Sequence, residues 1–227
     1  MNKNIFREYD IRGVYPKDLN EDTFFEIGNA IASKCNQLSI DSIVLGRDGR
    51  LSGEPLMNGL KNSLLSNGIS VENIGIVTSP LLYYAAKKHS SKSGIMVTGS
   101  HNPKEYNGIK MIINDEPVSG KEIFELIGTP NNASSKGTFT VNEDVINNYI
   151  EEVQSKSIQS KYEIKVVIDC GNGAAGVIAP KLFKALGFNV VEIFSEVDGN
   201  FPNHHPDPGR PENLKDLSDK VLSEKAN

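Results

Sequence analysis

Residues 98–103, with the sequence Thr-Gly-Ser-His-Asn-Pro, hold the most reactive combination of side chains in the chain. They follow an apolar segment at 95–97, so we expect Ser100 at the carboxyl end of a buried strand, where open α/β sheets bind ligands. A surface turn would have a similar composition, and the sequence alone leaves that interpretation open. A serine hydrolase is set aside because its nucleophile elbow needs G-x-S-x-G, and the adjacent His101 is poorly placed to serve as the base of a triad.

Two further segments combine charged side chains with apolar neighbours. Residues 6–13 read Phe-Arg-Glu-Tyr-Asp-Ile-Arg-Gly, and their composition alone favours a solvated edge. Lys110 interrupts the apolar segment 109–113. Because lysine is rarely buried without a partner, Lys110 either points outward from an edge strand or serves a site, and the sequence leaves both open.

A glycine-rich turn at residues 171–176, Gly-Asn-Gly-Ala-Ala-Gly, has the G-x-G-x-x-G pattern of a dinucleotide-binding loop. Glu192 lies 21 residues after Gly171, near the distance of the acid that binds the ribose in such folds. Glu192 lies inside an apolar run, however, and Cys170 separates the preceding strand from the first glycine. The pattern therefore favours a structural turn, with a dinucleotide-binding oxidoreductase domain as the alternative.

The histidines and cysteines do not have the spacing of a metal site. His204, His205 and Asp207 are neighbours in a proline-rich stretch, which is more typical of an ordered loop than of ligands that converge on one ion. Cys35 and Cys170 are far apart in sequence, and we expect both to be buried thiols in a reducing compartment.

Composition narrows the class of protein. The 227 residues have an ordinary apolar fraction of 38% and a formal net charge of −5, which argues against a nucleic-acid partner. The N-terminus lacks the apolar stretch of a signal peptide, and no apolar run approaches the roughly 20 residues that cross a bilayer. We therefore expect a cytoplasmic protein without a membrane partner, whose ligand can still be anionic where basic side chains gather.

Segments with helical and strand periodicity alternate along the chain. Helical stripes occupy residues 24–31, 57–64, 146–153 and 214–221, and further helices are predicted to open at 79–80 and to lie around 178–186. Strands are predicted at 42–45, 75–77, 95–97, 109–113, 166–168 and 190–191. This order predicts two consecutive α/β domains with mainly parallel, mixed sheets flanked by helices, the second incomplete. The small polar stretch 128–137 is the best linker candidate.

Three of these segments, taken together and in this order, resemble the signature of the α-D-phosphohexomutase family. They are Tyr-Asp-Ile-Arg-Gly at 9–13, Thr-Gly-Ser-His-Asn-Pro at 98–103 and Asn-Gly-Ile-Lys at 107–110. The likeness runs over the whole chain and includes 46–50 and 169–173. It implies the phosphomannomutase/phosphoglucomutase branch, which interconverts the 1- and 6-phosphates of mannose and glucose, with the phosphoglucosamine mutase branch as the alternative.

The resemblance also implies roles for individual residues. Ser100 would be the phosphoserine of the resting enzyme, which passes its phosphoryl group to the sugar and takes another back from a hexose 1,6-bisphosphate that has turned round. Arg12 and Lys110 would neutralise charge and assist proton transfer at the sugar hydroxyl, and His101 would support the same exchange. The substrate-binding residues implied are Tyr9, Arg12, Asn102 and Lys110. These types suit a reaction that depends mostly on positioning and charge stabilisation.

The family has four domains, and the likeness covers the first, at residues 1–141, and most of the second, at 142–227. A Mg²⁺ ion would take one ligand from Ser100 through its phosphate and the others from an acidic loop beyond Asn227. The implied partners are the hexose phosphate and the remaining C-terminal domains of the same protein. We expect the chain alone to be inactive.

Overall fold

The computed structural model describes residues 1–130, 133, 135–158 and 162–227, so the predicted linker 128–137 lies partly outside the described residues. A seven-stranded sheet forms the first unit, and a two-stranded sheet forms the second. The strands are β1 (Ile11–Val14), β2 (Ser42–Arg47), β3 (Ser70–Ile76), β4 (Gly94–Val97), β5 (Tyr106–Ile113), β6 (Glu116–Pro117), β7 (Phe139–Val141), β8 (Lys165–Asp169) and β9 (Asn189–Ile193). The helices are α1 (Glu21–Gln37), α2 (Gly53–Ser66), α3 (Ser79–Lys88), α4 (Gly120–Glu125), α5 (Val145–Lys156), α6 (Ala179–Ala185) and α7 (Lys215–Glu224).

The first sheet is mixed, and its strand order is β1-β5-β4-β2-β3-β7, with β6 paired to β5. The strands β4, β2, β3 and β7 run parallel, whereas β5 is antiparallel to the three strands that pair with it, β1, β4 and β6. This confirms the predicted α/β class with a mixed sheet. Because β4 and β5 are antiparallel neighbours, the loop between them turns back at the carboxyl end of β4.

Helices cover both faces of this sheet. On one face, α1, α2 and α4 bury the larger core, and on the other, α3 and α5 pack over β2 and β4. Helix α1 shows how local sequence and packing agree. Asn20 caps it by accepting a hydrogen bond from the Thr23 amide, and Phe24, Ile27 and Ile31 are fully buried. Such a cap contributes about 1 kcal/mol, and each buried apolar side chain about 1.5–3 kcal/mol.

Several elements differ from their predicted bounds. Strand β3 begins at Ser70, five residues before the predicted start, because its polar residues lie on a half-buried strand near the sheet edge. Helix α3 is capped at Thr78, so Ser79 is its first residue rather than its cap. The sequence patterns did not predict β1, β6, β7 or α4. Strand β1 corrects the solvated-edge interpretation of residues 6–13, since Ile11 and Arg12 are buried although β1 is an edge strand.

The second unit packs directly against the first. Its strands β8 and β9 are parallel, and α7 lies along β8. Ile178 and Leu182, at the start of α6, join the same apolar cluster as Val44 of β2 and Met96 of β4. The two units therefore share part of one core. The division between residues 141 and 142 stays a prediction. Among the described helices, none has the length and apolar character needed to span a membrane.

Candidate functional site

A cleft of about 510 Å³ separates the two units at the carboxyl ends of β4 and β8. Ser100, His101 and Lys110 line it from the first unit, and Asp169 and His204 line it from the second. The structure therefore brings together three of the four predicted catalytic residues. Lys110 lies on β5, between β1 and β4, so it is not on an edge strand. It has no ion-pair partner among the described residues and remains free to meet an anion.

Ser100 lies in the connection between β4 and β5, residues 98–105, here called the Ser100 loop. Its backbone is left-handed, with a φ of 53°, a conformation that non-glycine residues adopt only where the surroundings enforce it. The Ser100 amide donates to Thr98 Oγ1 at 2.9 Å, and the Asn102 side chain donates to the Gly99 carbonyl at 2.9 Å. The Ser100 hydroxyl makes no hydrogen bond to any described residue, so it is available for chemistry.

Arg50 lies beneath this loop and is only 1% exposed. Its Nη1 donates to the carbonyls of Pro103 and Tyr106 at 2.6 and 3.1 Å, and its Nη2 to those of Ser100 and Asn102 at 2.9 and 2.7 Å. Burial lowers the pKa of the Arg50 guanidinium, and the neighbouring Asp48 carboxylate opposes this. One buried cation therefore fixes four carbonyls of the loop and its following strand.

Asp48 completes the support under the loop. Its Oδ2 accepts hydrogen bonds from the Thr98 hydroxyl at 2.7 Å, the Gly99 amide at 3.0 Å and Arg50 Nε at 3.2 Å. A side chain at position 99 would not fit, because a Cβ atom there would lie 2.1 Å from Arg50 Nε. The glycine that precedes the serine thus allows the guanidinium to approach the loop backbone.

Arg12 is buried behind the Ser100 loop rather than in the cleft lining. Its Nη1 donates to the Thr98 carbonyl at 2.8 Å, and its Nη2 pairs with Asp10 at 2.6 Å. Strand pairing places Arg12 opposite Gly108, where a Cβ atom would lie 1.9 Å from the Ile11 carbonyl oxygen. The close pairing of β1 and β5 therefore joins the first and third sequence motifs and holds Arg12 against the second.

The other two predicted substrate-binding residues have different surroundings. The side chain of Tyr9 is 86% exposed and does not line the cleft. Asn102 uses its side-chain amide within its own loop. Their predicted roles toward a substrate stay predictions.

Four backbone amides of the glycine-rich turn after β8 donate hydrogen bonds inside the protein. The amides of residues 171, 172, 173 and 176 donate to Asp169, Phe194, Cys170 and Gly173, so they are not free for a pyrophosphate. Glu192, the proposed ribose ligand, pairs with Lys184 instead. These contacts favour the structural interpretation over the dinucleotide site.

His204 faces this turn from the proline-rich loop. Its Nε2 lies 3.0 Å from Asp169 Oδ2, and its Nδ1 lies 3.0 Å from the His205 carbonyl oxygen. Burial lowers the pKa of His204, but the carbonyl and the carboxylate outweigh it, so the pKa is raised. Asp207 binds Gly209 and Arg210 in the same loop. The described residues contain no group of three histidine, cysteine or acidic side chains that could hold a metal ion.

Sequence reasoning gave no role to Asp48 or Arg50. Both lie in the Gly-Arg-Asp-Gly-Arg segment at 46–50, which contributed only to the family likeness. Its position in the sequence could have indicated a role, because the segment follows a buried strand, as the serine motif does. The strands β2 and β4 are parallel neighbours, so the two segments lie at the same edge of the sheet. Cys35 and Cys170 are buried free thiols, in agreement with the prediction, and burial raises the pKa of Cys35 to about 12.

Comparison with known proteins identifies the two units. Residues 3–134 match the family model of phosphoglucomutase/phosphomannomutase α/β/α domain I, and residues 146–227 match that of domain II. The chain is 48% identical over 220 residues to phosphomannomutase/phosphoglucomutase of Pseudomonas syringae pv. tomato, covering 96% of this chain and 47% of that protein. It is 46% identical over 219 residues to phosphoglucomutase of Neisseria gonorrhoeae, with coverage of 95% and 47%.

A crystal structure gives the same result. A phosphoglucomutase/phosphomannomutase family protein of Burkholderia thailandensis superposes with a TM-score of 0.93 at 38% identity, covering all of this chain and 52% of that one. The chain thus spans about half the length of the relatives it matches. Both family models together cover nearly all of it, and the chain belongs to the phosphoglucomutase/phosphomannomutase family.

Proposed function

We propose that the complete enzyme, this chain together with the C-terminal half that its relatives have, interconverts the 1- and 6-phosphates of glucose and mannose through a phosphoserine at Ser100. The observation that carries the proposal is the cleft in which Ser100, His101 and Lys110 meet, with the serine hydroxyl free and its backbone fixed. The relatives' names supply the class of substrate, since they are phosphomannomutase/phosphoglucomutase and phosphoglucomutase.

The reaction consists of two phosphoryl transfers. In the first, a sugar hydroxyl oxygen attacks the phosphorus on Ser100, the bond from phosphorus to Oγ breaks, and the hydroxyl loses its proton. In the second, after the bisphosphorylated sugar has turned round, Ser100 Oγ attacks its other phosphoryl group and the sugar oxygen leaves. A serine ester thereby divides one isomerisation into two displacements. Lys110 supplies positive charge beside the phosphorus, which is where the transition state gains negative charge, and Lys110 and His101 assist the proton transfer.

Arg12 acts differently from Lys110 in this scheme. All three of its guanidinium nitrogens are engaged, Nε and Nη2 with Asp10 and Nη1 with the Thr98 carbonyl, so its charge acts on the phosphoserine from behind the loop. The described residues of this chain do not form a Mg²⁺ site alone. When bound, Mg²⁺ would neutralise phosphate charge, with one oxygen from the Ser100 phosphate and carboxylates from the C-terminal half.

The test is a coupled assay that follows glucose 6-phosphate formed from glucose 1-phosphate, with Mg²⁺ and catalytic glucose 1,6-bisphosphate. In the complete enzyme, Ser100→Ala should abolish turnover and leave thermal unfolding unchanged, because the half-exposed hydroxyl makes no structural hydrogen bond. Ser90→Ala, at an exposed serine outside the cleft, is the matched control. Near-normal turnover by Ser100→Ala would refute the assignment. Faster turnover of glucosamine 1-phosphate than of the glucose or mannose ester would favour the phosphoglucosamine mutase branch instead.

We also expect the 227-residue chain alone to be inactive. Loss of one transition-state donor costs on the order of 3 kcal/mol, and this chain would lack the metal carboxylates and the clamp on the distal phosphate together. An ordinary enzymatic rate from the purified chain, shown by intact mass to be free of longer species, would contradict this.

A further inference from the structure

All N–H donors of the Arg50 guanidinium are engaged in hydrogen bonds to the Ser100 loop, to the first residue of β5 and to Asp48. A guanidinium has five N–H donors, and here one meets Asp48 while four meet carbonyl oxygens of residues 100, 102, 103 and 106. With 1% of its surface exposed and all donors engaged, Arg50 cannot also bind a substrate phosphate. We propose that Arg50 is a positioning residue that fixes the reactive conformation of Ser100, an inference that rests on the function proposed above.

The direction of the carbonyls explains how a buried residue affects the cleft. In a trans peptide, the carbonyl of one residue and the amide of the next point in opposite directions. Since the Ser100 carbonyl points at Arg50, the His101 amide points away from it. That amide has no acceptor among the described residues. Arg50 thereby both holds the left-handed Ser100 backbone and turns the next N–H group outward, where it can donate to a phosphoryl oxygen.

The second unit completes this arrangement. The ring of Phe201 lies over the guanidinium, with its centroid 5.3 Å from Arg50 Cζ, a cation–π contact. Gly199 approaches the backbone of residues 49–51 so closely that a Cβ atom would lie 2.6 Å from the Leu51 amide nitrogen. The segment 197–201 therefore packs against Arg50. The position of the second unit relative to the first thus affects the Ser100 loop.

The discriminating variant is Arg50→Lys, with Arg47→Lys as the matched control. An ammonium is a single nitrogen with three donors and cannot satisfy four carbonyls and a carboxylate from one position. Arg47 is the last residue of β2, three positions before Arg50, but it binds the Asp48 carbonyl and Glu54 rather than the Ser100 loop. Both variants keep the positive charge. A difference in behaviour between them therefore reports on the loss of the planar guanidinium group at position 50.

The first readout is hydrogen exchange of the 227-residue chain, followed by mass spectrometry, and it needs no enzymatic activity. Arg50→Lys should speed exchange in peptides that cover residues 98–106 by on the order of tenfold or more, because charge-assisted hydrogen bonds to the loop are lost. Peptides from α1 should exchange as before, and Arg47→Lys should match the unsubstituted chain throughout. Unchanged exchange of the loop in Arg50→Lys overturns the proposal, whatever a mutase assay shows.

The second readout separates positioning from a purely structural role. In the complete enzyme, Arg50→Lys should lower kcat by roughly a hundredfold and leave KM within about a factor of two, because a misplaced nucleophile affects the chemical step. A faster-exchanging loop with normal kcat, or a change confined to KM, overturns the proposal. Absence of turnover in the unsubstituted enzyme would instead refute the proposed function, and the exchange result would still decide the role of Arg50 in the loop.

A second pair of variants covers the case in which Arg50→Lys does not fold. Gly99→Ala retains the arginine but inserts a methyl group 2.1 Å from its Nε, so it separates the guanidinium from the loop. Gly53→Ala is its control, since its methyl group would make only ordinary contacts of 3.4 Å or more. Faster exchange at residues 98–106 in Gly99→Ala alone supports the proposal, and identical exchange in the two variants overturns it.

Discussion

Replacing Asp48 by asparagine tests whether the support under the Ser100 loop is a charged network. The carboxylate accepts four hydrogen bonds: Oδ1 from the Arg50 amide, and Oδ2 from the Thr98 hydroxyl, the Gly99 amide and Arg50 Nε. An asparagine has one oxygen and one NH₂ group. Its best orientation keeps the oxygen at the Oδ2 position, and the NH₂ group then faces the Arg50 amide, another donor.

The cost follows from the burial of the pair. Removing one partner of a buried ion pair costs about 3–5 kcal/mol. Asp48 retains 14% exposure, and Arg50 keeps its four carbonyl acceptors. The lower end, about 3 kcal/mol, is therefore expected, which for a chain of this length lowers Tm by roughly 6–12 °C.

The assay is urea unfolding of the 227-residue chain, followed by circular dichroism and checked by thermal unfolding. Asp41→Asn is the control, because Asp41 is exposed and its carboxylate accepts one hydrogen bond, from the adjacent Ser42 hydroxyl. This variant should stay within about 0.5 kcal/mol of the parent. If Asp48→Asn lowers the free energy of unfolding by less than about 1 kcal/mol, the charged carboxylate is not needed to stabilise the Ser100 loop, and the proposed charged network is refuted.

Three further outcomes are expected. Gly108→Ala should destabilise the chain by about 1–3 kcal/mol in urea unfolding, because its methyl group would meet the Ile11 carbonyl across the β1–β5 pair. An NMR titration should give His204 a pKa above 6.5, and Asp169→Asn should lower it; since the folded pKa is raised, this stabilisation is present below pH 6.5 and is lost as pH rises through the folded pKa. Cys35 should not react with Ellman's reagent at pH 8 until the chain is unfolded, because burial raises its pKa to about 12.

For each of these three predictions, one experimental result would refute the structural interpretation. Gly53→Ala is again the control for the glycine variant, and equal stability of the two would refute the close approach of the strands. A His204 pKa that does not change in Asp169→Asn would show that the carboxylate does not hold the imidazolium. Rapid labelling of Cys35 in the folded chain would contradict its burial.

Features fixed by neighbours in sequence were predicted well. Helix α1 was recognisable from its cap at Asn20 and from the spacing of Phe24, Ile27 and Ile31, since capping and helical periodicity involve residues a few positions apart. The motif order was equally informative, and it led to the family that the comparisons identify. The site of Ser100 at a strand end also followed from its sequence position.

Only the tertiary structure decided which charged residues are buried and what they hold. No local pattern places Arg50 under a loop about 50 residues further along the chain, because its burial depends on the neighbouring strands β2 and β4 and on Phe201 of the second unit. The same holds for Arg12, which is buried on an edge strand because β1 pairs with β5 and brings it against the Thr98 carbonyl. Sequence thus determined the reactive serine and its elements, whereas long-range packing determined the network that positions it.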